Sequence, residues 1–273
     1  MIRAVPDSLD PEVVAGIDAR LAGVEREHGV RVTWAIESGS RAWGFPSPDS
    51  DYDGRFLYVR PRDDYLTPWL PRDVVETPLD TTYDVNGWDL RKALGLLVKG
   101  NATVVEWLRS PIVYRGDPDF RDGLLELADE VGLPAAVGRH YLHVCRQQWL
   151  DHDGEVSLKK VFYALRPALA LRWLRVHPGS AVAPMRLQEL LASSQPPADV
   201  VEAADRLVAA KARTRELGSG EVPPVLRRFV EDELALAAPY DDAGAVPAER
   251  VEQTRARAAA YFRTAVDRWG GSG

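Results

Sequence analysis

Two aspartates in the stretch 39-GSRAWGFPSPDSDYD-53 are the residues whose type and spacing most clearly suggest chemistry. Asp51 and Asp53 follow a strand-like segment, and residues two apart in a strand lie on the same face. Two carboxylates held this close repel each other unless a cation neutralises them. A hard divalent ion such as Mg²⁺ binds one or two carboxylates together with phosphate oxygens and water. The pair therefore predicts a metal site.

Gly39 and Ser40 precede this pair, at the point where the preceding strand turns into the short segment 41–43. A glycine at such a turn permits close approach of the backbone, and exposed N–H groups beside a hydroxyl can hold phosphate oxygens. Together, the turn and the two carboxylates predict a site that binds a nucleoside triphosphate and its metal ions.

The elements that must position these residues follow from the spacing of apolar side chains. Asp10 as N-cap, Pro11 at the first helical position and Gly29 as a stop predict an initial helix. Alternation and composition then predict strands. These strands cover residues 30–36, 51–59, 81–86 and 111–115.

The pattern becomes helical further along the chain. Asp89 can cap a helix that stops at Gly100, and Thr103 with Glu106 has the spacing of a capping box for a short helix. Beyond Asp117 nearly every segment has helical periodicity. We therefore predict an α+β fold with an α/β core over residues 1–116 and an all-helical C-terminal domain over 117–273, packed on the core because a small sheet must bury its second face.

Composition narrows the classes of protein. No stretch approaches the ~18 to 20 apolar residues of a membrane span, and the N-terminal residues lack a secretory-signal pattern, so we expect a cytoplasmic protein. The single cysteine, Cys145, excludes an internal disulfide and a cysteine-rich zinc site. A net charge of -7 argues against a globally basic nucleic-acid surface. Residues 139–176 nevertheless carry seven Arg or Lys against three acids, which leaves room for a local basic groove.

The pattern Gly39-Ser40, Gly44 and Ser50-Asp51-Tyr52-Asp53 resembles the signature of the DNA polymerase beta nucleotidyltransferase superfamily. That resemblance implies a small mixed sheet flanked by helices and nucleotidyl transfer assisted by two metal ions. It also implies nucleotide-binding roles for residues of the motif, with Arg41 and Arg55 as further candidates.

A closer resemblance extends over most of residues 31–175. The segments 39–59, 84–114 and 158–174 are similar to the RlaP-type family, named for a proposed RNA repair pathway. This sequence has Asn101-Ala102-Thr103 where the family commonly has Asn-Pro-Thr. The resemblance assigns Asn101 and Glu106 a capping or bracing role at the site.

The superfamily resemblance implies a third carboxylate on a neighbouring strand, which binds the catalytic metal and helps to deprotonate the attacking hydroxyl. Asp84 is the first candidate, because it lies within the third predicted strand. Asp89 is the second, since it serves equally well as a helix N-cap. We expect Mg²⁺, with Mn²⁺ as the alternative ion, at Asp51, Asp53 and Asp84.

A predicted helix after residue 157 carries a stripe of residues that could reach phosphate. Lys159, Tyr163 and Arg166 recur at i, i+4 and i+7 and so share one face of that helix. The stripe is either a solvated basic face or a wall of the carboxylate cleft that holds phosphate. The predicted nucleotide-binding residues are Gly39, Ser40, Arg41, Ser50, Lys159, Tyr163 and Arg166.

The leading hypothesis is a metal-dependent nucleotidyltransferase that moves a nucleoside monophosphate from a triphosphate, such as ATP, to an acceptor hydroxyl and releases pyrophosphate. An RNA end in RNA repair is the acceptor that the resemblance suggests. The alternatives are AMP transfer to a protein or small molecule, and a catalytically silent module that binds nucleotide or RNA.

Overall fold

A six-stranded mixed sheet organises the first half of the chain. The computed structural model describes residues 1–149, 156–213, 219–242 and 246–271, with the backbone alone for 156–159 and 219. Within these ranges, the sheet has the order β1-β6-β2-β3-β5-β4, in which β3 and β5 run parallel and the other neighbours are antiparallel. The strands are β1 Ile2–Ala4, β2 Arg31–Glu37, β3 Tyr52–Val59, β4 Val74–Glu76, β5 Tyr83–Asp89 and β6 Val113–Gly116.

Helices cover both faces of this sheet and make up most of the described residues that follow it, which confirms the predicted mixed fold with a helical C-terminal region. Those of the first half are α1 Pro11–His28, α2 Gly39–Trp43, α3 Arg62–Tyr65, α4 Leu90–Leu97 and α5 Ala102–Leu108. The later ones are α6 Pro118–Val131, α7 Pro134–Trp149, α8 Leu158–Val176, α9 Leu187–Ser194, α10 Ala198–Lys211, α11 Pro224–Ala237 and α12 Ala248–Trp269. A short ribbon pairs Val156–Ser157 with Ser219–Gly220. No described helix combines the length and apolar composition that a bilayer crossing needs.

Helix α1 covers one face of the sheet and forms as its sequence predicts. The Asp10 side chain accepts a hydrogen bond from the Glu12 N–H, Pro11 occupies the first turn, and Gly29 ends the helix in the left-handed region at φ 61°. The apolar stripe of α1 is buried against the sheet residues Val32, Phe56 and Val85. This side of the sheet therefore has a continuous apolar core.

The opposite face is covered by helices that are distant in the chain. Trp34, Ile36 and Leu57 of the sheet share one buried cluster with residues of α4, α5, α6 and α12. In α12, the Tyr261 hydroxyl donates to the Phe120 carbonyl at 2.9 Å and Trp269 Nε1 donates to Asp117 Oδ2 at 2.9 Å. The last described helix thus returns to the sheet.

Helices α7 to α11 form a separate apolar cluster beside the sheet. Leu165 and Leu169 of α8 are fully buried at its centre, and Glu233 of α11 receives hydrogen bonds from Arg172 and Arg175. Helices that precede residue 116 and helices that follow it pack in the same core beneath the sheet. This packing does not mark a boundary between two domains, so the predicted boundary at residue 116 stays a prediction.

Two local expectations need correction. The predicted capping box of Thr103 and Glu106 is wrong, because Asn101 caps α5 by accepting the Thr103 N–H at 2.9 Å and Glu106 is buried. Strands β1 and β4 were not predicted, since each has three residues and is too short to show alternation. The predicted cap at Asp89 is confirmed by its hydrogen bond from the Arg91 N–H at 2.8 Å.

A buried ion pair ties the helical region to the core. Arg166 of α8 donates to both carboxylate oxygens of Glu106 in α5, at 2.7 and 3.2 Å, and the Tyr141 hydroxyl of α7 donates to the same carboxylate at 3.0 Å. Arg166 and Glu106 are 7% and 6% exposed. Such a pair fixes the relative placement of three helices, because each partner needs the other to stay buried.

Replacing Arg166 with methionine should lower the free energy of unfolding by about 3 to 5 kcal/mol, because Glu106 would remain buried without its cation. The double variant Glu106→Gln, Arg166→Met should recover most of that loss, since glutamine still accepts the Tyr141 hydroxyl. Urea denaturation followed by circular dichroism measures both. Arg146→Met is the control for an exposed pair, with an expected loss of about 1 kcal/mol or less. Equal losses for Arg166→Met and Arg146→Met would contradict this role.

Candidate active site

Two of the predicted carboxylates meet on the parallel pair of strands. Asp53 of β3 and Asp84 of β5 are register partners, so their side chains lie side by side at one end of the sheet. The two side chains are 21% and 36% exposed. Asp51 lies immediately before β3 and is exposed, while Tyr52 between them is buried on the α1 side. The structure therefore brings Asp84, and not Asp89, next to the Asp51–Asp53 pair.

Arg55 joins these two carboxylates. A single nitrogen, Nη2, donates to Asp53 Oδ1 at 2.9 Å and to Asp84 Oδ2 at 2.7 Å, while Nη1 donates to the carbonyls of Asp84 and Gly54 at 2.5 and 3.0 Å. Asn86 Nδ2 donates to the other Asp84 oxygen at 3.1 Å. Charge and hydrogen bonds thus offset the repulsion between the carboxylates.

Gly39 allows the motif helix to lie against Asp53. Its backbone has φ 57°, and a Cβ atom at this position would lie well inside van der Waals contact with Asp53 Oδ2. The Ser38 N–H donates to the Asp53 carbonyl at 2.8 Å, which fixes the start of α2 to the first residues of β3. Only glycine satisfies both the left-handed backbone and this close approach.

A cluster of hydroxyls and one arginine holds the loop between α2 and β3. Ser40 Oγ donates to Ser50 Oγ at 2.9 Å, and Ser50 Oγ also accepts the Ser47 N–H at 2.9 Å. Arg41 donates to the carbonyls of Ser50 and Asp51 at 2.5 and 3.2 Å, and its guanidinium stacks 3.9 Å from the centre of the Tyr52 ring. The structure thus brings Ser40, Arg41 and Ser50 together, and their role in nucleotide binding stays a prediction.

A polar cleft opens beside this loop. It has a volume of about 740 Å³ and is bordered by the N-terminal end of α1, the 48–52 loop and residues 81–82. Arg41, Ser50 and Asp51 line it. The volume lies within the range of small-molecule sites.

Tyr163 of helix α8, one of the predicted nucleotide-binding residues, packs against the motif helix α2. The ring of Tyr163 packs edge-on against Trp43, with centroids 5.4 Å apart. Burial raises the pKa of Tyr163, and the negative charges of Asp53 and Asp51 raise it further. Lys159 lies at the start of α8, and its side chain lies outside the described residues.

Arg166, in contrast, does not reach the carboxylates. Its guanidinium is enclosed with Glu106 and lies 4.4 Å from the centre of the Trp43 ring. The expectation that Arg166 holds phosphate therefore does not match its position, since helical spacing gives the face of a residue but not the partner that binds it. The Arg166 guanidinium instead packs against the Trp43 ring.

Asp89 lies away from the cluster. It pairs with Tyr58 in the sheet, five residues further along β5 than Asp84 and on the opposite face. Its carboxylate accepts hydrogen bonds from Tyr65 at 3.2 Å and lies 3.2 Å from Arg60 Nε. Burial raises the pKa of Asp89 despite these partners. Its position is that of a structural helix cap.

The arginines that contribute to the local excess of positive charge in residues 139–176 are paired with other groups of the protein, some of them at the surface. Its arginines bind acidic side chains or backbone carbonyls of neighbouring helices. These contacts are Arg139 with the Tyr240 carbonyl, Arg146 with Asp241, Arg166 with Glu106, and Arg172 and Arg175 with Glu233. Among the described side chains of this segment, the five arginines thus each have a partner within the protein.

Glu37 was not predicted to take part in the site, although it lies directly behind Asp53. Its Oε1 accepts the Asp53 N–H at 3.0 Å, and its Oε2 accepts the Tyr114 hydroxyl at 2.5 Å. Burial raises the pKa of Glu37 to about 7, and the hydrogen bond from Tyr114 partly opposes that rise. An acid at the end of a predicted strand normally indicates exposure, so the sequence carries no signal for this role.

The carboxylates are the residues that could hold a cation. Within the described ranges, no group of three His, Cys, Asp or Glu side chains is arranged as a ready metal site. Asp53 and Asp84 instead converge on one cationic nitrogen of Arg55, with Asp51 at the edge of the adjoining cleft. Two hard carboxylate donors and a third nearby can bind an ion such as Mg²⁺.

Comparison with known proteins adds two matches. The family model described as "RlaP: RNA repair pathway DNA polymerase beta family" matches residues 14–264. The chain is also 39% identical over 220 residues to the Bacillus subtilis (strain 168) protein called "Uncharacterized protein YcgL", an alignment that covers 78% of this chain and 82% of the relative. The range matched by the family model includes Asp51, Asp53 and Asp84.

Gly39→Ala should destabilise the protein more than Gly29→Ala. Both glycines have a left-handed backbone, at φ 57° and 61°, but a Cβ atom at Gly29 meets nothing within 4 Å. Gly29→Ala should cost about 1 to 2 kcal/mol of unfolding free energy from the backbone alone. The contact with Asp53 should add about 1 to 3 kcal/mol for Gly39→Ala. Urea denaturation measures the difference, and equal losses would rule out the close approach.

The unfolding free energy should fall as the pH rises from about 4.5 to about 7, with Glu37 as a cause. In this window the folded protein retains a Glu37 proton that the unfolded chain, with its ordinary pKa near 4.5, has released. The contribution reaches about 3 kcal/mol and stops changing above pH 7. Glu37→Gln should therefore gain stability relative to wild type across this window in urea titrations at pH 5, 6, 7 and 8. If the unfolding free energies of wild type and Glu37→Gln changed in parallel with pH, Glu37 would not be a cause of the pH dependence.

Proposed function

This chain belongs to the RlaP family, the RNA repair pathway DNA polymerase beta family, and on that basis we propose that it is a metal-dependent nucleotidyltransferase. In this proposal it transfers a nucleoside monophosphate from a triphosphate to an acceptor hydroxyl and releases pyrophosphate. The observation that carries the proposal is the side-by-side placement of Asp53 and Asp84, with Asp51 and the glycine turn at Gly39 beside them.

A divalent ion fits these residues. Their donors are hard carboxylate oxygens, and those of Asp53 and Asp84 already converge on a cationic nitrogen. Asp51, Asp53 and Asp84 would hold Mg²⁺, with Mn²⁺ as the alternative ion. When bound, such an ion supplies charge neutralisation at the phosphates and activation of the attacking oxygen.

The residues of the motif have separate roles in the proposed reaction. The hydroxyls of Ser40 and Ser50, with the backbone around Gly39, bind the phosphates, and Arg41 keeps the loop in place. The acceptor oxygen bonds to the α-phosphorus as the bond to pyrophosphate breaks, and pyrophosphate leaves with that electron pair. The hydroxyl proton passes to a carboxylate, for which Asp84 is the first candidate. Positioning and charge stabilisation provide most of the rate in such transfers.

An RNA end is the first acceptor to test, because the family description names an RNA repair pathway. AMP transfer to a protein or small molecule is the second candidate. The internally paired arginines of residues 139–176 and the net charge of -7 favour it, since an RNA strand needs several free cations for its phosphates. The silent-module alternative requires an incomplete set of carboxylates, and the placement of Asp84 next to Asp53 supports a complete set.

Asp84→Asn should lower pyrophosphate release on the order of 10²-fold or more, because it removes a charge at the reacting centre. Asp89→Asn is the matched control, since asparagine caps a helix as well as aspartate does and Asp89 lies away from the cluster. The assay follows pyrophosphate release from each ribonucleoside triphosphate with Mg²⁺ or Mn²⁺. Loss of turnover in a folded Asp89→Asn protein, with activity retained in Asp84→Asn, would reverse the assignment.

The same assay distinguishes the acceptors. Release that requires RNA and weakens steeply between low and moderate salt indicates an RNA end, because each neutralised phosphate adds to the salt dependence. Release that proceeds with a protein extract or a small-molecule pool, and responds little to salt, indicates the second candidate. Nucleotide binding without release under any of these conditions would favour the silent module.

A further inference from the structure

Arg55 uses its guanidinium entirely on the two strands that carry the carboxylates. Its four hydrogen bonds end on Asp53, on the Gly54 carbonyl, and on the side chain and carbonyl of Asp84. The side chain is only 15% exposed. Both terminal nitrogens therefore have hydrogen-bond acceptors within the protein. Arg41 differs from Arg55 because it lines the open cleft.

The position of Nη2 matters more than the number of bonds. One nitrogen bridges an oxygen of Asp53 and an oxygen of Asp84, at 2.9 and 2.7 Å, so a positive charge already lies between the two carboxylates. Any divalent ion that binds the same pair encounters this charge at close range. Like charges at such separations repel strongly when partly shielded from water.

We propose that Arg55 is a positioning residue, an internal counter-cation that keeps Asp53 and Asp84 together and weakens divalent-ion binding until nucleotide phosphates arrive. This inference rests on the proposed nucleotidyl transfer. The phosphates of a nucleotide bring negative charge that offsets the guanidinium, and Mg²⁺ binds readily to one or two carboxylates together with phosphate oxygens. The metal ion therefore enters mainly with the nucleotide.

Two substitutions separate the charge of Arg55 from its geometry. Arg55→Gln keeps a hydrogen-bond donor but removes the charge, and Arg55→Lys keeps the charge but cannot reproduce the fork of donors. Arg20→Gln is the matched control, because Arg20 pairs with Asp80 and packs on Tyr83, next to Asp84 in sequence, without contacting either carboxylate. All three proteins are first checked for folding by circular dichroism and urea denaturation.

Mn²⁺ binding is measured by electron paramagnetic resonance of the free ion, without nucleotide and with a non-hydrolysable ATP analogue, each against a protein-free sample because the analogue itself binds Mn²⁺. Without nucleotide, Arg55→Gln should bind Mn²⁺ about tenfold more tightly than wild type, while Arg55→Lys and Arg20→Gln should stay close to wild type. With the analogue present, the difference in Mn²⁺ affinity between Arg55→Gln and wild type should become smaller. Turnover of Arg55→Gln at saturating Mn²⁺ should nevertheless fall, because the carboxylates lose their bridge.

Weaker or unchanged Mn²⁺ binding by folded Arg55→Gln would overturn the inference, and so would tighter binding by Arg20→Gln of the same size. If Arg55→Gln does not fold, Arg55→Lys provides the test. Its turnover should fall while its affinity for Mn²⁺ without nucleotide stays at the wild-type value. A weaker affinity for Mn²⁺ would overturn the inference. Failure of the proposed function has a different signature. In that case wild type binds no Mn²⁺ even with the ATP analogue and releases no pyrophosphate.

Discussion

The parallel pairing of β3 with β5 is the constraint on which the site depends. It places Asp53 opposite Asp84, and two carboxylates in this position are stable only with positive charge and donors around them. Arg55 and Asn86, two residues beyond these aspartates on the same face, supply both. A shift of one residue in the pairing would send one carboxylate to the α1 side of the sheet, where the surroundings are apolar.

Much of the fold could be predicted from the sequence, because its main elements carry local signals. The cap at Asp10, the stop at Gly29 and the alternation before and after the motif depend on neighbouring residues alone, and each has its expected place in the structure. The grouping of Gly39, Ser40 and Asp53 was also accessible, since a short turn must bring a strand end close to the next strand. Strand β4 was not predicted because it forms by pairing with β5, and its own three residues carry no strand signal.

The parts of the site that could not be predicted depend on partners far along the chain. Glu37 has the composition of an exposed strand end, and its burial is explained by its hydrogen bonds from Tyr114 on β6 and from the Asp53 N–H. Arg166 has the spacing of a phosphate ligand, but Glu106, 60 positions earlier, binds it. Periodicity identifies the face on which a charged side chain lies, whereas its partner is decided by tertiary packing. For the same reason, a local count of arginines overstates the positive surface available to a ligand.

The return of α12 to the sheet has a consequence for synthesis of the protein on the ribosome. Asp267 of this helix contacts Arg62 across 205 positions, and its apolar side covers the face of the sheet that includes Ile36 and Leu57. At the usual elongation rate of about 5 to 20 residues per second, the part of that face that α12 covers stays open for about 10 to 40 s after Arg62 is synthesised. Until then the nascent chain exposes apolar sheet surface, the kind of surface that chaperones bind. The carboxylate strands can therefore reach their final packing only after α12 has been synthesised.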